Sequence, residues 1–172
     1  MRNLSIGVDM RVRFVVRVLG AMLAPLVTFA GVTGADYRAS LLEVLGKYQG
    51  VLARHEACTI AFPQMRAVND KAFAAWHARH KRLEGELDQR FAMMVREYSR
   101  DEKDYSRNFG KYQGGILRIR EEVKQALLLE TRGNLESQCK GLPEFLQSRE
   151  SDLESEFANE LLVLRQWKLP SK

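Results

Sequence analysis

The chain has 172 residues, a length typical of one domain, and 45% of its residues are hydrophobic, as in ordinary globular proteins. Its formal net charge is +5, from 27 basic and 22 acidic residues. Four arginines lie within the first 17 residues, so this charge is concentrated at one end of the chain. It therefore does not indicate a basic footprint for nucleic acid on the rest of the chain.

The N-terminal segment has the pattern of a secretory signal peptide. The arginines precede an uncharged run over 18–35, whose apolar part, 18–30, is shorter than the roughly 20 residues that a membrane-spanning helix needs. We predict a signal peptide over 1–35 with cleavage after Ala35, and Ala30 is the second choice. The alternatives are an uncleaved membrane anchor and a buried N-terminal helix.

Cleavage after Ala35 would leave 23 basic and 21 acidic residues over 36–172, a net charge of +2. We therefore expect no nucleic-acid partner and no stable membrane span after cleavage. The expected location is the periplasm or the medium outside the cell.

The chain from 36 to 172 reads as a single all-α domain. Apolar residues at helical spacing predict a first helix that ends near Cys58, a second from Pro63 to about Tyr98, a third from Ile116 to Cys139 and a fourth from Pro143 to Trp167. The polar stretch 99–115 is interpreted as a loop or weak helix. Short connections between helices favour antiparallel neighbours, so the predicted fold is an antiparallel bundle of about four helices.

Cys58 and Cys139 are the two cysteines of the chain. An exported protein meets oxidising conditions, so we predict one internal disulfide between them. Such a bond would close a loop of about 80 residues, which the chain-entropy description values at roughly 4–5 kcal/mol. Two free buried thiols or an intermolecular bond are the alternatives.

The pentapeptide GKYQG occurs at 46–50 and again at 110–114. The longer match, LGKYQGVLAR against FGKYQGGILR, is consistent with two related helical hairpins. The pentapeptides are 64 residues apart, however, whereas the cysteines are 81 apart. Duplication and chance therefore both remain open.

Three side chains are the candidates for chemistry. His77, His80 and Glu84 share helical spacing, and imidazole and carboxylate groups bind zinc or copper. The further ligands and the base found in known two-histidine helix motifs are missing from the sequence. A histidine on an apolar stripe, such as His80, is more simply explained as a hydrogen-bonded core residue. We therefore expect neither a metal site nor a cofactor.

These observations predict a non-catalytic binding or structural module of the cell envelope, whose partner is another envelope protein or a second copy of the chain. One alternative is an inhibitor or immunity protein for a secreted toxin or envelope enzyme. The other is a metal-binding protein or enzyme that uses His77, His80 and Glu84.

Overall fold

Capping residues fix where two of the long helices of the fold begin. In the computed structural model, which describes residues 33–167, Thr33 begins the first helix: its hydroxyl accepts a hydrogen bond from the Asp36 backbone N–H at 3.2 Å, and the Asp36 carboxylate accepts one from the Thr33 N–H. This reciprocal pair is a capping box. Asp101 caps the third helix in the same way, because its carboxylate accepts from the Asp104 N–H at 2.8 Å.

Over 33–167 the regular secondary structure is entirely helical and contains no strand. Its α-helices are α1 (Gly34–Ala61), α2 (Arg66–Glu97), α3 (Glu102–Leu128), α4 (Arg132–Lys140), α5 (Leu142–Gln147), α6 (Leu153–Glu156) and α7 (Ala158–Gln166). Short 3-10 helices at Pro63–Met65 and Arg149–Ser151 join some of them. The all-α prediction is confirmed, with seven α-helices in this range instead of about four. Most of the predicted signal peptide, residues 1–32, lies outside the described residues.

α1 lies at the centre of the fold and contacts α2, α3 and α7. It runs antiparallel to α2, since the Tyr37 hydroxyl donates to the Arg90 carbonyl at 2.9 Å near one end and His55 pairs with Asp70 near the other. Trp76 of α2 is fully buried in the core. None of the helices over 33–167 has the length and apolar character needed to cross a bilayer.

The disulfide between Cys58 and Cys139 is present, with the two Cα atoms 5.3 Å apart. Cys58 lies in the last turn of α1 and Cys139 in the last turn of α4, and neither side chain is exposed. The predicted pairing is therefore confirmed.

Of the two interpretations of 99–115, the loop is wrong, because α3 begins at Glu102 and both GKYQG segments are helical. Tyr105, Phe109 and Tyr112 pack against the core, and Phe109 meets Phe91 of α2 edge to face at 5.2 Å. This burial outweighs the cost of glycine within a helix, about 1 kcal/mol each. The third predicted helix is also interrupted at 129–131, between the end of α3 at Leu128 and the beginning of α4 at Arg132.

The predicted fourth helix, 143–167, is broken into α5, α6 and α7, and side chains of α2 bind backbone groups at the break between α5 and α6 and near the end of α7. Arg79 donates to the Leu146 carbonyl at 2.6 Å, and the Trp76 indole N–H donates to the Ser151 carbonyl at 2.8 Å. Arg90 donates to the Leu164 carbonyl near the end of α7. Helix ends leave such groups without partners inside the helix, so α2 stabilises the break between α5 and α6.

Candidate functional site

The three predicted metal-ligand candidates do not lie together. His77 and Glu84 are paired on the surface of α2, with 3.1 Å between the imidazole Nε2 and the carboxylate oxygen. His80 lies three residues from His77 but is only 3% exposed. A third ligand for a metal at His77 and Glu84 is therefore not supplied by His80.

Both ring nitrogens of His80 are bonded to backbone groups. Nδ1 lies 2.9 Å from the Trp76 carbonyl, to which it can only donate, and Nε2 accepts from the Leu153 N–H at 3.3 Å. Such a ring offers no lone pair to a metal. Within 33–167 no three His, Cys, Asp or Glu side chains are grouped so that they could hold a metal ion.

The pair of His77 and Glu84 belongs to a polar cleft of about 370 Å³ between α1, α2 and α3. The Tyr48 hydroxyl donates to the other Glu84 oxygen at 2.6 Å. Burial and this hydrogen bond raise the pKa of Tyr48, so its hydroxyl stays protonated. Glu84 thus has a donor on each carboxylate oxygen.

His55 lines the same cleft on the side of α1. Its Nε2 lies 2.8 Å from the Asp70 carboxylate, and its ring stacks on Phe73 with centroids 4.1 Å apart. The hydrogen bond with His55 is the main cause that lowers the pKa of Asp70. Cys58, three residues along α1, is in the disulfide, so it offers His55 no thiol to activate.

Arg120 reaches the cleft from α3 and pairs with Glu56 of α1. The acidic and basic groups of this cleft therefore bind one another across three helices. This arrangement orients the three helices relative to one another.

A second concave surface has a different character. It is a groove of about 540 Å³ formed by Leu42 of α1 and by one flank of α3, lined by Lys111, Tyr112, Gly114, Gly115, Ile116, Arg118 and Ile119. We call these eight residues the α1–α3 groove. Leu42 is 41% exposed and Ile119 is 39% exposed. Each side of the groove, α1 and α3, therefore presents a branched aliphatic side chain to solvent.

The shape of the groove depends on Gly114 and Gly115. A Cβ atom placed on either would meet nothing within 4 Å, so the missing side chains leave open space above the α3 backbone. Tyr112 and Ile116 are half-buried and pack against the core, which makes the groove floor apolar. Its two charged lining residues, Lys111 and Arg118, are both cations.

The sequence interpretation missed this groove because 99–115 was interpreted as a loop or weak helix, with no apolar face assigned to it. The spacing that could have revealed it is Tyr105, Phe109, Tyr112, Ile116 and Ile119, with steps of four, three, four and three residues. The three glycines within this segment concealed that periodicity.

Comparison with models of protein families, with curated proteins and with solved structures finds no match for this chain.

Proposed function

We propose that the protein is an exported, non-catalytic binding module of the cell envelope and that it binds a partner protein through the α1–α3 groove. The observation that carries this proposal is the concave apolar surface that the fold leaves open, with Leu42 and Ile119 both more than a third exposed. Contiguous exposed apolar surface of this kind is a common mark of an interaction site.

The disulfide and the hydrogen bonds from α2 to the C-terminal segment support a structural role for the part of the domain outside the groove. The disulfide joins α1 to α4, and α2 holds the interrupted C-terminal segment through backbone hydrogen bonds. A frame fixed in this way presents α1 and α3 in one orientation, which lowers the entropy that binding must overcome.

Export is supported by the leader pattern over 1–35 and by the disulfide, because such bonds persist in oxidising compartments. The capping box at Thr33 and Asp36 favours Ala30 over Ala35 as the cleavage position. Cleavage after Ala35 would remove Thr33 and cost about 1 kcal/mol of helix stability, whereas cleavage after Ala30 keeps the cap.

The proposal is tested by photo-crosslinking in the cells that produce the protein. A benzophenone amino acid is placed at Leu42 or at Ile119, and the matched control carries it at Val68, an exposed residue of α2 with 63% accessibility. We expect the same protein adduct from both groove positions and none from Val68. Adducts that are absent at the groove, or equally strong at Val68, would contradict the proposed function.

A further inference from the structure

We propose that the partner enters the α1–α3 groove as an amphipathic helix whose edges carry acidic side chains. This inference rests on the proposed function and adds the chemistry of the partner. It follows from the shape of the groove, from its apolar floor and from the sign of the charges along it.

The shape favours a helix. The lining from Lys111 to Ile119 follows α3 over nine residues, a rise of about 12 Å or roughly two helical turns. The open space above Gly114 and Gly115 admits side chains of an approaching element close to the α3 backbone. An amphipathic helix presents an apolar stripe that repeats every three or four residues. Such a stripe matches the apolar floor of the α1–α3 groove.

The charges select the partner. Among residues 33–167, no carboxylate lies within ion-pair distance of Lys111. Arg118 forms an ion pair with Glu122, one turn further along α3, with 3.4 Å between its Nε and the carboxylate oxygen. The Arg118 side chain is still 77% exposed. No carboxylate lines the groove. Acidic residues on the edges of an incoming helix would therefore meet two available cations.

The same charges disfavour a second copy of this chain in the groove. A two-fold contact between identical grooves would bring Lys111 and Arg118 of one copy against the same cations of the other. Like charges facing each other across an interface oppose association. A bilayer surface fits less well than a helix, because the apolar residues line a depression, whereas membrane binding needs apolar side chains that project.

The experiment uses the oxidised protein and a displayed library of helical peptides of about 14 residues, long enough to exceed the groove. Each peptide carries one apolar stripe, and its edge positions are randomised among Glu, Lys and Ser. We expect selection to enrich Glu at the edges and to deplete Lys. The best acidic peptide is then measured by fluorescence anisotropy against its Glu→Lys counterpart, which should bind at least roughly tenfold more weakly.

Two double variants locate the effect. Lys111→Glu with Arg118→Glu should weaken the acidic peptide by roughly tenfold or more and favour the lysine peptide. The matched control, Lys81→Glu with Lys103→Glu, reverses two exposed cations outside the groove and should leave both affinities unchanged. The single variant Ile119→Ser should weaken both peptides, because it removes apolar contact without changing charge.

Four outcomes would overturn the inference. Selection without acidic enrichment, or binding that the Lys111 and Arg118 reversal leaves unchanged, would show that charge does not choose the partner. Dimers in sedimentation that Ile119→Ser abolishes would assign the groove to a second copy. Binding to anionic phospholipid vesicles that blocks peptide binding and needs both cations would assign it to a membrane. If charge does not choose the partner, crosslinking from Leu42 and Ile119 could still give a protein adduct. Failure of this inference is therefore distinguishable from failure of the proposed function.

Discussion

Removal of the disulfide is expected to cost a large part of the stability of the domain. Cys58 and Cys139 are 81 residues apart, and both side chains are fully buried. For a loop of this length the chain-entropy relation gives about 15 cal/mol/K, or about 4.5 kcal/mol at 25 °C. Small domains are stable by only about 5–15 kcal/mol, so the double variant Cys58→Ala, Cys139→Ala should lose about a third or more of that free energy of unfolding.

The assay is urea unfolding followed by far-ultraviolet circular dichroism, on the oxidised protein, the reduced protein and the double alanine variant. Alanine is chosen because serine would bury two hydroxyl groups without assured partners. The reduced protein keeps both sulfur atoms, so its difference from the alanine variant measures lost packing, and its difference from the oxidised protein measures the crosslink. A crosslink contribution below about 1 kcal/mol would refute the entropic reasoning.

Three further substitutions test the interactions within the fold. Trp76→Phe removes the donor to the buried Ser151 carbonyl and should lower the free energy of unfolding by about 2 kcal/mol, whereas an unchanged urea midpoint would contradict the role of that hydrogen bond. Hydrogen bonds from Arg165, and secondly from Arg90, lower the pKa of Glu86 in the folded protein. The charge of Glu86 therefore stabilises the fold at pH values above the ordinary carboxyl pKa of about 4.3. This contribution is lost as pH falls through the lower pKa that Glu86 has in the folded protein. Glu86→Gln should therefore cost about 1 kcal/mol at pH 7 and progressively less as pH falls below about 4, and a cost in urea titrations that does not change with pH would disprove this linkage. Gly110→Ala should raise the free energy of unfolding by about 0.5–1 kcal/mol, because Gly110 is helical and a Cβ there meets nothing within 4 Å; a loss of stability would argue against a helix at this position.

The parts of the fold that were predictable from sequence depend on local information. Two cysteines allow a single internal pairing, and the apolar spacing from Phe73 to Met94 follows one face of α2 over many turns. Both features were correctly predicted for that reason. The start of α3 was missed because glycines and charged residues weaken local helix propensity there, whereas the packing of Phe109 on Phe91 that stabilises it is not local.

The breaks in the C-terminal segment also depend on distant residues. Apolar spacing from Phe145 to Trp167 is compatible with one helix, and nothing in that stretch identifies Arg79 and Trp76 as partners of its backbone. A broken helix becomes favourable only when side chains elsewhere satisfy the freed carbonyls. The sequence therefore indicated helical structure here but not its interruptions.

The candidate chemistry divides in the same way. The seven-residue spacing of His77 and Glu84 places them two turns apart on one helix, and the structure pairs them. His80 shares the spacing, but the Leu153 backbone covers it, and that contact spans 73 residues of sequence. Helical spacing thus identified which side chains could meet, whereas tertiary packing determined which of them are accessible.

The central claim is that the protein is exported and that one disulfide crosslinks its domain. Its most direct test is the intact mass of the protein purified from the cells that make it. The mass is measured without reductant, after treatment with a thiol-alkylating reagent. We predict a chain that begins at Gly31, lacks two hydrogens and carries no alkyl group. A mass that still includes the first 30 residues, or that contains two alkylated cysteines, would contradict the account.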